Sequence, residues 1–160
     1  MDINIQKAII QDKSILRNLL ELCHHDYSEF NPKDVNEHGL FGYKYLDHYW
    51  IESGRYPFLV RVSGKLAGFV LVRDIDFFDN KVTHTVAEFF ILRKFRRQGT
   101  GQKVAHRIFD MFPGRWGVEQ EDVNLPAQAF WRKVIFRYTK GQFKEMEDKN
   151  WKGPIQEFNT

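Results

Sequence analysis

Residues 96–101 read Arg96-Arg97-Gln98-Gly99-Thr100-Gly101, a combination suited to holding a phosphate-bearing ligand. Glycines two positions apart let the backbone bend and let an anion approach main-chain N–H groups, and two guanidinium groups add charge and donors. The run stands between a strand-like stretch, residues 87–92, and a helix-like one, residues 102–112. The first-turn amides and the positive dipole end of that helix therefore serve the same anion. No Gly-Lys-Ser/Thr closes the run, which excludes a Walker loop, and Val104 stands where a dinucleotide fingerprint carries its third glycine or alanine. The pattern that remains is Arg-x-x-Gly-x-Gly.

A second segment lies one helix and one strand downstream. Residues 118–131 read as a strand running into a capped helix, with Asn124 at the N-cap and Pro126 in the first turn. Arg-x-x-Gly-x-Gly resembles the acyl-CoA pyrophosphate loop of the GCN5-related N-acetyltransferases, the GNAT family. That family also carries an asparagine at the end of the fifth strand, an alanine three on, and a hydrophobic-aromatic pair six and seven on. Asn124, Ala127, Phe130 and Trp131 match in that order, so the resemblance covers residues 87–135.

The resemblance implies an enzyme that transfers acetyl from acetyl-CoA to an amine, without a covalent enzyme intermediate. It implies a cofactor pyrophosphate on Arg96, Arg97, Gln98, Gly99, Thr100 and Gly101, and a pantetheine arm hydrogen-bonded to the main chain of Phe89, Phe90 and Ile91. Asn124 and Trp131 join the cofactor contacts, with core packing as the other reading of Trp131. Acetyl transfer needs a base to deprotonate the amine, stabilisation of an oxyanion, and release of a thiolate. Glu88, on the fourth strand, and Glu119, five residues before Asn124, both match base positions of the family, and the sequence leaves the choice open. At Trp131 many relatives have a tyrosine that protonates the leaving sulfur. Indole cannot do so, which leaves Tyr138, water or an unprotonated thiolate. A non-catalytic acyl-CoA-binding module is the alternative, and homodimers are frequent in the family.

Composition narrows the remaining classes. With 24 basic and 21 acidic residues the net charge is +3, too balanced for a nucleic-acid or membrane surface. The basic excess is local, in Arg93, Lys94, Arg96, Arg97, Lys103 and Arg107, with no acid between the first and last of them. Cys23 is the one cysteine, so the chain has no internal disulfide, and a reducing, cytoplasmic setting follows. His24-His25 lacks the spacing of a metal site, and no metal is expected. No segment approaches the ~20 apolar residues of a membrane helix. His24, Asp26, Glu29, Asp34 and Glu37, with Phe41, Tyr43, Tyr45, Tyr49 and Trp50, fall where the family often builds its acceptor wall.

The elements that position these residues follow from periodicity. Residues 4–10 alternate as a first strand, and Asp12 or Ser14 then caps a helix bearing Ile15, Leu16, Leu19, Leu20 and Leu22. A short helix is expected around 45–50, and strands 56–62 and 66–72 flank a turn at Ser63-Gly64-Lys65. Asp79-Asn80-Lys81 turns the chain into a strand over 83–92. The helix 102–112 stops at Pro113-Gly114, a strand follows over 115–120, and a helix over 126–133. Short strands at 134–138 and 155–158 complete the series, with a polar connection around Asp148-Lys149-Asn150. This order resembles that of the GNAT fold, and the resemblance implies one α/β domain over residues 1–160, with a twisted mixed sheet of about six or seven strands parted between the fourth and fifth, and about four flanking helices.

Overall fold

Ser63 and Gly64 both take left-handed backbone, with φ of 48° and 76°. This pair of positive angles makes a two-residue hairpin turn whose twist matches the strands it joins, β2 (Arg55–Val62) and β3 (Lys65–Asp76). The structure, a computed structural model, describes residues 1–76 and 81–160. The turn expected at Asp79-Asn80 lies outside the described residues.

The strands β1 (Ile3–Lys7), β4 (Val82–Ile91), β5 (Arg115–Glu119), β6 (Lys144–Asp148) and β7 (Trp151–Asn159) join that hairpin in one seven-stranded sheet of order β1-β2-β3-β4-β5-β7-β6. The β1–β2, β5–β7 and β6–β7 pairs are antiparallel, whereas β4 and β5 run parallel. Among the described residues β4 and β5 share one register pair, His84↔Trp116, against five between β5 and β7. The parallel pair therefore parts after its first rung.

The chain forms two compact units, Met1–Leu71 with Glu88–Phe95, and Val72–Ala87 with Arg96–Thr160, so β3 and β4 contribute to both. In the first, α1 (Lys13–Tyr27) buries Leu16, Leu19, Leu20 and Cys23, the i, i+3, i+4, i+7 face of an amphipathic helix. Leu22 falls off that face and is exposed. Strand β1 ends at Lys7 rather than Ile10, because Ile10–Asp12 winds into a single 3₁₀ turn. The Asp12 carboxylate accepts the Ile9 N–H of that turn at 3.0 Å and does not cap α1. The short helix is α2 (His48–Ile51). Gly68 of β3 has no substitute: a Cβ there would strike the Phe90 carbonyl. Beside it the Leu92 N–H donates to the Ala67 carbonyl at 2.8 Å, which pins the end of β4.

The second unit packs α3 (Thr100–Met111) and α4 (Leu125–Thr139) around a cluster of aromatic rings. Phe109 lies edge-on to both Trp116 and Phe158 at 4.9 Å between centroids, and Trp116 and Phe158 are nearly parallel at 6°. The strand expected at 134–138 is instead the last turns of α4. Val134, Ile135 and Tyr138 have strand-forming side chains, yet Trp131, Val134 and Ile135 are buried while Phe136 is exposed, which is helical spacing and not alternation. The helix stops where Lys140 and Gly141 turn left-handed, φ 55° and 84°.

Candidate active site

The glycine loop has the backbone its composition implied. Arg97 and Gly99 are left-handed, with φ of 60° and 79°, and Gly99 is the N-cap of α3. No atom lies within 4 Å of where a Gly99 Cβ would sit, so the turn opens onto free space. A helix N-terminus leaves its first amides without intrahelical acceptors, and a concave turn gathers them. Arg137, near the end of α4, donates to Gln102 Oε1 at 2.6 Å and so adds a guanidinium beside the first turn of α3. It lies 35 positions from Gln102, a separation across which no local pattern carries a signal. These residues fit a pyrophosphate.

In the same unit Asn124 caps α4, its Oδ1 accepting the Ala127 N–H at 3.1 Å. The end of β5 before it is held by buried amides. Gln120 and Gln156 exchange hydrogen bonds at 2.6 and 2.8 Å, and Gln128 Nε2 donates to the carbonyls of Glu121 and Asp122. Glu119, at the end of β5, has its carboxyl raised above the ordinary value, chiefly by burial; Arg73 opposes the shift and Asp148 adds to it. Trp131 is 6% exposed and packs against Phe130 and Phe109. Tyr138 donates its hydroxyl to Asp110 at 2.7 Å, and burial together with Asp110 pushes its phenol up to about 12.

The other carboxylate belongs to the first unit. Glu88 on β4 is 15% exposed, and each of its oxygens faces a side chain of α1. Oε1 lies 3.9 Å from His24 Nε2, and Oε2 accepts from the Cys23 thiol, also at 3.9 Å. The His24 ring is covered by Phe41 and Tyr43, at 6.1 and 5.7 Å between centroids. The loop carrying those rings is tied down by Glu21, whose oxygens accept the N–H groups of Phe41 and Gly42 at 2.8 and 2.9 Å. Tyr49 is buried nearby; burial raises its phenol, Tyr43 and Arg55 oppose, and Glu88 adds to the rise. Phe89, Phe90 and Ile91 follow Glu88 at the end of β4, the last two buried. Of the residues singled out from sequence, this unit therefore gathers Glu88 with His24, Tyr43 and Tyr49. Glu119, Asn124, Trp131 and Tyr138 belong with the glycine loop in the other.

The family model described as the acetyltransferase (GNAT) family matches residues 16–135. The chain belongs to the GNAT family. Solved structures share the fold of this GNAT chain. An acetyltransferase from Thermus thermophilus superposes with a TM-score of 0.75 at 12% identity, covering 100% of this chain and 98% of the other. Arabidopsis thaliana Naa50, in complex with the bisubstrate analogue CoA-Ac-MVNAL, gives 0.64 at 13% identity over 100% of both chains. The Escherichia coli ribosomal-protein-S18-alanine N-acetyltransferase gives 0.62 at 13% identity, covering 99% of this chain and 94% of that one. Comparison with curated proteins finds no match. Among the described residues of this GNAT domain no cluster of three His, Cys, Asp or Glu side chains is placed to hold a metal, and no helix is long and apolar enough to cross a membrane.

Proposed function

We propose that the chain is an acetyl-CoA-dependent N-acetyltransferase, residues 1–160 serving as one catalytic domain, that acetylates the primary amine of a small molecule or protein. The observation that carries this reading is the open left-handed turn at Arg97–Gly99 leading into α3. Bound acetyl-CoA supplies an activated thioester. Toward it, Arg96, Arg97, Gln98, Gly99, Thr100 and Gly101 hold the pyrophosphate, and the main chain of Phe89, Phe90 and Ile91 aligns the pantetheine arm as an added strand would. Asn124 fixes the start of α4 and joins the cofactor contacts, and Trp131 supports that helix through its packing.

The reaction turns an ammonium and a thioester into an N-acetyl amine, a thiolate and two protons: one N–C bond forms and one C–S bond breaks. Glu88 receives the first proton, being a carboxylate shielded from solvent with His24 and the Cys23 thiol beside it. Glu119 is the alternative base, since its burial-raised carboxyl also suits proton uptake. Cys23 is 2% exposed and donates to Glu88, which places it outside any acyl-carrier role. Tyr138 makes a poor acid while its proton is shared with Asp110, so the sulfur departs as thiolate.

Calorimetric titration with acetyl-CoA and with CoA, followed by an acceptor panel of spermidine, kanamycin, free amino acids and a peptide with a free N-terminus, tests the reading. The peptide is included because Naa50 was captured with a peptide-bearing analogue and the E. coli enzyme acts on a ribosomal-protein alanine. Saturable binding with turnover of one acceptor supports it. Binding without turnover supports a second reading, a non-catalytic acyl-CoA-binding module, which Trp131 favours by lacking an acidic proton. No binding sinks both.

A further inference from the structure

Buried side-chain nitrogens are for the most part hydrogen-bonded. His84 shows this: its Nδ1 meets Asp74 at 2.6 Å and its Nε2 meets the Pro113 carbonyl at 3.3 Å, while the ring packs on Phe112 and Trp116. His24 is different. Its Nδ1 is buried without a hydrogen-bond partner among the described residues, and its Nε2 stops 3.9 Å short of Glu88 Oε1. A buried nitrogen without a partner costs free energy, and no neighbour fixes which nitrogen carries the proton.

The 3.9 Å separation is too long for a direct hydrogen bond and short enough for a small side-chain movement to close it. The site is walled. Phe41 and Tyr43 cover the imidazole, and Glu21 holds their loop in place. The ionisable groups around the pair are Cys23 on the same helix, Tyr43 on the covering loop, Tyr49 on α2 and Arg55 on β2, whose guanidinium lies 5.5 Å from the Tyr49 ring. Asp26, on the same helix, is occupied by Arg93 at 2.8 Å.

We infer that His24 is the proton-relay partner of Glu88: it acts through the carboxylate and does not touch the acceptor. The inference rests on the acetyl-transfer reading. Each turnover strips two protons from nitrogen, and one carboxylate holds one. With His24 beside it, Glu88 passes the first proton to Nε2 as the two side chains close to hydrogen-bond distance, and it is again an anion when the second is released. Once Glu88 has released the second proton to the thiolate or to water, Nε2 returns the first to Oε1 by the path it came, so the ring ends each turnover in the tautomer in which it began. The Cys23 thiol, donating to the other carboxylate oxygen, leaves Oε1 as the oxygen that works.

Two measurements test this. The first needs no acceptor: in ¹⁵N-labelled protein the His24 imidazole, assigned by its loss in His24→Gln, is followed against pH in wild type and in Glu88→Gln. Coupling predicts that the His24 protonation curve moves to lower pH when the carboxylate is gone; superimposable curves overturn the inference. The second uses whichever panel acceptor turns over in wild type. His24→Gln keeps a hydrogen-bonding nitrogen near the Nε2 position but cannot take up a proton, so kcat should fall about tenfold or more with acetyl-CoA affinity unchanged. Full rescue of kcat by Gln would reduce His24 to a hydrogen-bonding prop and overturn the relay. If wild type binds no acetyl-CoA, it is the acetyl-transfer reading that fails, and the NMR comparison still decides whether the two groups are coupled.

Discussion

Gly99 shows how much one backbone angle can carry. At φ 79° any side chain is strained by about 1–2 kcal/mol, but the space beyond is open, so alanine meets strain and no clash. Gly99→Ala should therefore cost modest stability and leave most acetyl-CoA affinity. Gly99→Asp adds an anion where the pyrophosphate approaches and should weaken binding about a hundredfold or more, as read by calorimetry; equal affinities for the two variants would remove the loop from the site. Glu119 offers a test of a different kind. A carboxyl raised in the folded state is penalised once ionised, so the protein loses stability as pH climbs from the unfolded-state value, about 4, through the folded-state value. Glu119→Gln should raise Tm at pH 7, with the gain shrinking toward pH about 4. A gain that does not vary with pH would mean that burial of charge is not its source. The glycine loop and the Asn124 cap could be read in the sequence because each depends on neighbours in the chain. The Glu88–His24 approach could not, since the two residues lie on different elements far apart in the chain and the chemistry of neither names the other.

Among the elements, the end of β4 depends on what β3 lacks. A Cβ on Gly68 would run into the Phe90 carbonyl, a backbone atom that cannot swing aside. Gly68→Ala should destabilise the protein by about 1–3 kcal/mol in denaturant melts, and should weaken acetyl-CoA binding more than it slows folding. Normal affinity in this variant would separate the end of β4 from the cofactor. The hairpin, α1, α3 and β5 follow from period and turn chemistry in the sequence. The error at 134–138 has a clear source: Val134-Ile135-Phe136 is a β-forming triplet whose helical state is set by burial of Trp131, Val134 and Ile135 on one face. Propensity yielded to packing there. The strands that close the sheet, β6 and β7, were in part hidden because β6 reads as charged residues, with Glu145 paired to Arg132 on α4 and to Gln156 on β7.

At the scale of the whole molecule a net charge of +3 says little, but its distribution makes a prediction. Binding that relies on Arg96, Arg97, Lys103 and Arg107 should weaken several-fold between about 0.05 and 0.5 M salt as screening sets in. Affinity for acetyl-CoA that ignores salt would shift the weight from charge to backbone amides. The succession of elements was largely legible because elements of the right type followed one another in a family's order, although the strand expected at 134–138 is helix and β6 was not foreseen. The sharing of β3 and β4 between units was not legible at all. It bears on the order in which the protein is made. The first unit takes residues Glu88–Phe95, which a ribosome delivers only after the opening strands of the second have emerged. Its early helix and hairpin must therefore wait with one side of β3 unpaired. During that interval the exposed strand edge is a place for chaperones to bind or for nascent chains to stick together, and synthesis that stalls before residue 95 leaves a fragment that cannot finish its first half.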